Sequence, residues 1–309
     1  MQTILGAGGS IGLELARILP EYTDRVRLVS RNPGTVERPH ESYPANLLDA
    51  EAVRAAVDGS EVAYLVAGLP YKARVWEAQW PVIMDNVIDA CRSAGSKLVF
   101  FDNVYMYDPG RLDAMDENTP VRPVSRKGEV RARIADRLLS AAAGGDLQAL
   151  IARCADYYGP GRQRNGVLTR TVLDRLANDK PAQWLLSANC PHSFTYTPDA
   201  ARGTAMLGNA DDTWGEVWHL PTPLAPPTGR EWVEAVAAEL DVEPRLQVMG
   251  RMLLNLSALF VPIMRELREM AYQYDRDYVF LSDKFNRRFG FAPTGYADGI
   301  RAIVEADYR

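Results

Sequence analysis

The residues best suited to chemistry open the chain. Gly6-Ala7-Gly8-Gly9-Ser10-Ile11-Gly12 lies between an apolar run at Thr3-Leu5 and a helical pattern at Ile11-Leu19. In that setting the glycines have separate tasks. Gly6 permits a tight turn, Gly9 lets backbone approach a pyrophosphate, and Gly12 lets helix and strand pack closely. The first N–H groups of the helix then face the anion. Gly8, Ser10 and Gly12 also match the Gly-x-Ser-x-Gly nucleophile elbow, but an elbow leaves Gly6 unexplained. Gly6, Gly8, Gly9, Ser10, Ile11 and Gly12 are therefore expected to hold a dinucleotide.

The residue that reads the adenosine ribose should close the second strand, roughly 20 residues further on. Leu28-Val29-Ser30-Arg31-Asn32 offers no carboxylate for a 2′-hydroxyl. Ser30 and Arg31, with Asn32 beside them, suit a 2′-phosphate, Arg31 pairing with it while stacking on adenine. NADP is expected in preference to NAD.

These residues need a scaffold. Apolar runs at Thr3-Leu5, Val26-Val29, Val62-Val66, Lys97-Phe101 and Leu147-Ala152 alternate with helical patterns at Ile11-Leu19, Ala50-Val57, Trp76-Ala94 and Lys127-Ala143. Short strands separated by helices imply a parallel sheet with right-handed crossovers. The fold class is α/β: a Rossmann-like doubly wound parallel sheet with a smaller, mainly helical C-terminal substrate domain. Its ligand crevice lies beyond the carboxyl ends of the strands. Residues 1–165 with 191–220 are assigned to the dinucleotide-binding domain, and 166–190 with 221–309 to the substrate domain. In the second half, Val167-Asn178 reads as a helix, Phe194-Thr197 as a strand and Asp199-Leu207 as a helix. Val217-Leu220 is a last sheet strand, and Pro221-Pro227 crosses to helices at Arg230-Glu239, Arg251-Tyr274, Asp283-Phe289 and Tyr296-Ala306.

Several weak motifs in order give the chain a likeness. Asn46-Leu47 with Asp49, Val66-Ala67-Gly68, Asn86-Val87-Ile88-Asp89-Ala90-Cys91, Tyr158-Gly159-Pro160-Gly161 and the run from His192 to Ala200 follow the glycine loop. With them the sequence resembles the extended short-chain dehydrogenase/reductase family, also called the NAD-dependent epimerase/dehydratase family, over nearly its whole length. The resemblance implies that Asn46 and Leu47 lie against adenine and that Val66, Ala67 and Gly68 line the cofactor.

The catalytic positions depart from that pattern. Asp102-Asn103-Val104-Tyr105-Met106-Tyr107 puts Asn103 near the usual Ser/Thr. Lys127-Gly128-Glu129-Val130-Arg131 replaces Tyr-x-x-x-Lys, and Trp80 stands for the helix asparagine. In the remaining chemistry Lys127, Tyr105 or Tyr107 handles a proton. Asn103 holds a carbonyl oxygen through its amide, and Arg131 positions ribose hydroxyls or a diphosphate. Lys127 also counts as a cofactor contact. The plainer alternatives are a solvated, arginine-rich helix start for Lys127 and Arg131, and ring packing for Tyr105 and Tyr107. Three readings stay open: an NADP-linked oxidoreductase on a small or medium carbonyl or alcohol, a sugar-nucleotide epimerase or dehydratase, and a non-catalytic NADP-binding protein.

Composition narrows the partners. The 309 residues carry 35 Lys and Arg against 40 Asp and Glu, a net charge of −5. A mildly acidic chain argues against nucleic acid or an anionic membrane as main partner, leaving a small molecule. His40, His192 and His219 have no ligand spacing, so no metal is expected. Cys91, Cys154 and Cys190 lie far apart, which fits a reduced, cytoplasmic setting. Gln2-Thr3-Ile4-Leu5 starts a strand at once, so no targeting segment is expected. Met252 to Met264 is too short to cross a bilayer and reads as a buried or interfacial helix. Trp232, Met249, Met252, Phe260 and Met264 read as core or as apolar lining of the substrate domain. A homodimer through the helices near Trp76-Ala94 and Lys127-Ala143 is the implied assembly, with Val130, Ile134, Leu138 and Leu139 serving either interface or core.

Overall fold

A computed structural model of the chain describes residues 1–34, 36–37, 40–161 and 166–309. The elements run β1 (Gln2–Leu5), α1 (Ser10–Ile18), β2 (Val26–Ser30), β3 (Glu41–Pro44), α2 (Ala50–Val57), β4 (Val62–Leu65), α3 (Ala73–Ala94), β5 (Lys97–Asp102), α4 (Arg126–Ala143), β6 (Ala149–Arg153) and β7 (Asp156–Tyr158). They continue with α5 (Asp174–Ala177), β8 (Ala182–Leu185), β9 (Phe194–Tyr196), α6 (Thr197–Gly208), β10 (Val217–His219), α7 (Gly229–Leu240), β11 (Leu246–Met249), α8 (Arg251–Phe260), α9 (Pro262–Met270), α10 (Asp283–Phe289) and α11 (Tyr296–Asp307).

Two compact units emerge. Unit 1 holds Met1–Met106, Arg126–Cys154 and Ala200–Leu220; unit 2 holds Tyr107–Ser125, Ala155–Asp199 and Pro221–Arg309. The division falls at Cys154 and Ala200, where the sequence pattern set it at 165 and 191. Residue 165 itself lies outside the described residues. The shift follows from β7 and β9, which pair with each other in a two-stranded ladder and not with the main sheet.

Unit 1 is a seven-stranded parallel sheet in the order β10-β6-β5-β4-β1-β2-β3. The order reverses beside β1, which pairs with both β2 and β4. Such a reversal opens a crevice at the carboxyl ends of the two central strands. On one face Leu5, Leu65, Leu98, Phe100 and Ile151 pack against Val53, Trp80, Met84, Val87, Ile134 and Leu138 of α2, α3 and α4. Val130, Ile134 and Leu138 are thus core residues. Tyr64, one position out of phase, faces the other way, and its hydroxyl accepts a hydrogen bond from Asn209 Nδ2 at 3.1 Å. Side chains alternate across a strand, so helices cover both faces.

Unit 2 has an aromatic core in which Tyr158, Trp184, Phe194 and Trp232 meet Ile300 and Ile303. β8 and β11 form a second parallel ladder. One expectation fails here. The stretch Arg251–Tyr274 is not one helix, because Pro262 cannot donate an N–H and begins α9 instead. Of the two alternatives for Met252 to Met264, buried or interfacial, the first does not hold: Met252 is 86% and Phe260 78% exposed. Trp232 alone of the proposed lining residues is fully enclosed.

Candidate active site

The glycine turn sits at the switch point of the sheet. Gly6 and Ala7 donate to Val29 O at 2.8 and 3.1 Å, which ties the turn to the end of β2. Gly6 has φ +100°, and a Cβ there would lie 2.4 Å from Ala67 Cα. The continuation of β4 through Val66 and Ala67 therefore passes directly against the turn, with Val66 N donating to Leu5 O at 2.9 Å. A Cβ on Gly12 would lie 2.8 Å from Ala7 Cα, so the turn and α1 come together only because that residue is glycine. Gly9 occupies the N-cap of α1 and brings no side chain to satisfy the helix's first N–H groups. Gly8, Gly9 and Gly68 are exposed, leaving this edge open.

The adenosine side is equally local. A Cβ on Gly8 would stand 3.5 Å from Asn32 O and 3.6 Å from Ser30 Oγ. Ser30 Oγ is buried and has no hydrogen-bond partner among the described residues, which is costly unless a ligand supplies one. Arg31 is exposed beside it. Ala45 N donates to Ser30 O at 2.9 Å, and Asn86 Nδ2 on α3 donates to Leu47 O at 3.0 Å. These bonds hold the Asn46-Leu47 segment next to the end of β2. The structure thus brings the glycine loop, Ser30, Asn32 and Val66-Ala67 together, and these residues fit a dinucleotide.

The catalytic positions look different from the sequence expectation. Arg131 is not free to hold a ribose or a substrate. Its Nε donates to Asp102 Oδ1 at 2.6 Å and its Nη2 to Phe101 O at 3.3 Å. Its guanidinium lies 4.5 Å from the Trp80 ring centroid and 4.8 Å from that of Phe100. Arg153 Nε reaches the other Asp102 oxygen at 3.2 Å. Asp102 at the end of β5 is thus clamped between two arginines, all three buried. Lys127, one turn before Arg131 on α4, is fully enclosed, with its ammonium 4.6 Å from the Tyr71 ring centroid. Neither residue belongs to a solvated helix start.

Around them the aromatic rings stack. Trp76 lies parallel to Tyr105 at 6.1 Å and edge-on to Tyr71 at 6.0 Å, and its Nε1 donates to Pro70 O at 3.1 Å. Asn103 Oδ1 accepts from Tyr105 N at 3.1 Å, which orients the amide whose NH₂ would donate to a ligand. Tyr71, Asn103 and Tyr105 are half-buried. Tyr107 falls in unit 2 as a buried ring. Sequence reading missed Tyr71, which lies in the loop between β4 and α3, where no local pattern marks it. It also missed a cluster in unit 2. There His192 is stacked between Tyr274 and Tyr278, with Nε2 3.0 Å from Asp156 Oδ2, which also accepts the Tyr274 hydroxyl at 3.0 Å.

The strand order and the glycine turn define a doubly wound protein of the dinucleotide-binding type. The chain belongs to the NAD dependent epimerase/dehydratase family, whose model matches residues 3–219. No curated protein matches the sequence. Among solved structures, MoeE5 in complex with UDP-glucose and NAD has a TM-score of 0.80 at 20% identity, covering 100% of this chain and 98% of that one. UDP-glucose 4-epimerase of Thermus thermophilus, in complex with NAD, has a TM-score of 0.78 at 19% identity, covering 99% and 98%. The dTDP-glucose 4,6-dehydratase DesIV of Streptomyces venezuelae, as a double mutant, has a TM-score of 0.76 at 16% identity, covering 100% and 97%. At these identities the likeness is one of fold.

Proposed function

We propose that this chain binds a nicotinamide dinucleotide, NADP in preference to NAD, and transfers hydride to or from a small carbonyl or alcohol substrate. The buried, unpartnered Ser30 hydroxyl beside the glycine loop carries the cofactor reading. With no carboxylate at the end of β2 and Arg31 exposed there, this rim suits a 2′-phosphate better than a 2′-hydroxyl. Gly6 to Gly12 would take the pyrophosphate, and Asn46 with Leu47 would border the adenine. The bound cofactor supplies the hydride donor or acceptor.

Protein groups manage the proton and the oxygen. The Asn103 amide is the hydrogen-bond donor for a carbonyl oxygen. Tyr71 and Tyr105 are half-buried phenols on the loops that follow β4 and β5, and the Lys127 ammonium lies against the Tyr71 ring. Of the two phenols, the one beside this ammonium, Tyr71, is assigned the proton exchange. Arg131 and Arg153 serve this site indirectly, by fixing Asp102 and hence the loop that carries Asn103.

Calorimetry with NADP and NAD, followed by NADPH oxidation across a carbonyl panel, tests the reading. Micromolar NADP binding with turnover is the expected result; no association with either cofactor by folded protein would sink it. The family and the sugar-nucleotide complexes among its structural relatives favour a second reading, an epimerase or dehydratase. That reading expects a cofactor retained through purification and no net change in nicotinamide absorbance during turnover.

A further inference from the structure

Helices α8 and α9 form a hairpin within unit 2, joined at Val261-Pro262. α8 is apolar almost all the way round, a pattern that needs cover on every side. Only Leu254 and Ala258, one turn apart, receive it, at 1% and 2% exposure. On the opposite arc Met252, Leu253, Leu256, Leu259 and Phe260 are 53–86% exposed, and Ile263 extends the patch into α9 at 42%. Their exposed area is roughly 800 Å², beyond the few hundred usual for the largest patch on a soluble monomer.

The charges say what covers it. The hairpin's exposed ionic groups are Arg251, Arg265 and Arg268, whereas Glu266 and Glu269 are half-buried and engaged. Arg251 also pairs with Asp275. With Arg251 so paired, Arg265 and Arg268 are the exposed charges that flank the apolar face, and both are positive. A second copy would bring the same apolar face but also the same arginines, with no exposed acid on the hairpin to meet them. A layer of phosphate headgroups over acyl chains meets both features. No helix among the described residues is long and apolar enough to cross a membrane, so the contact is one of lying on the surface.

We propose that the α8–α9 hairpin docks this protein peripherally on anionic lipid, a local departure from what the whole-chain charge implies. Co-sedimentation of the full chain with phosphatidylcholine vesicles, with and without phosphatidylglycerol, tests it. Several-fold greater binding to the anionic vesicles, weakening with salt, is expected. The Met252→Glu/Phe260→Glu variant should lose at least tenfold in binding with its melting temperature unchanged, because both side chains are exposed. Arg265→Glu/Arg268→Glu should abolish the preference for anionic vesicles. Two outcomes overturn the proposal: no binding to either vesicle, or light scattering that shows a dimer dissociated by Phe260→Glu.

Discussion

At the scale of residues, the site turns on what replaces a Tyr-x-x-x-Lys pair. Arginine at position 131 does what lysine cannot, reaching Asp102 with a planar fork while lying on the faces of Trp80 and Phe100. Asp102 and its two arginines form a buried cluster in which each charge depends on the others. Replacing Asp102 by Asn would leave two guanidiniums in the interior short of a counter-charge, a loss of about 3–5 kcal/mol. Urea unfolding measures it, and a change below about 1 kcal/mol would contradict the clamp. Arg131→Lys should also destabilise, because the ammonium keeps the charge but not the fork. Proton transfer makes a separate claim. Tyr71→Phe should lower kcat about 10²–10⁴-fold with the cofactor Kd unchanged, whereas Tyr105→Phe should have a small effect; the reverse order would reassign the acid. Lys127 and Arg131 were legible as the altered motif because they share one helix at fixed spacing. Their partners were not, since Tyr71 and Asp102 lie on other elements and only packing of α3, α4 and β5 brings them close.

At the scale of elements, the opening turn is the most exacting piece of backbone in the molecule. Gly6 combines a left-handed φ with backbone 2.4 Å from where a Cβ would stand, and Ala67 cannot move without pulling β4 out of register. Gly6→Ala should cost about 2–3 kcal/mol and abolish dinucleotide binding, both readable in one ligand-shifted thermal melt. Full cofactor-induced stabilisation in that variant would refute the cradle. The helices and strands of unit 1 were readable because apolar runs alternate there with 3.6-periodic segments, and Ala50–Val57 falls where the pattern puts it, as does Asp283–Phe289 in unit 2. β3 escaped notice: Glu-Ser-Tyr-Pro alternates exposed and half-buried positions at the sheet edge and ends on proline. β7, β8 and β11 are short ladders whose pairing partners are remote in sequence, so no local pattern announces them. The helix at Val167–Asn178 contains a π turn at Thr169–Leu173 before α5, a local widening invisible to periodicity. In α8 the apolar content was legible, but the choice between a buried and an interfacial helix was not, because composition does not say which side packing covers.

At the scale of the whole molecule, stability should fall in alkali. Burial pushes the Cys91 thiol and the Tyr272 phenol up to about 12, the Ser125 hydrogen bond offsetting the latter in part. Tyr64 in unit 1 and Tyr158 and Tyr296 in unit 2 are raised by burial as well. Each keeps its proton in the folded chain at a pH where the unfolded chain has lost it. The stability these groups provide is complete below the unfolded pKa, near 9 for the thiol and 10 for a phenol, and is lost as pH rises toward the folded values. Each such group adds a slope of about 1.4 kcal/mol per pH unit once its unfolded form ionises. The lowered carboxyls of Glu77 and Glu231 lie in solvent, where ion pairs and caps are screened, so these two contribute little stability that acid could remove. Urea midpoints should therefore stay level from pH 6 to about 8.5 and then fall steeply toward pH 11. Because both units hold such phenols, the fall should register in fluorescence from both. Cys91→Ala should delay its onset by removing the first group to ionise on unfolding. A midpoint that holds to pH 11 would mean that these side chains ionise in the folded state, and that the interiors of both units admit water.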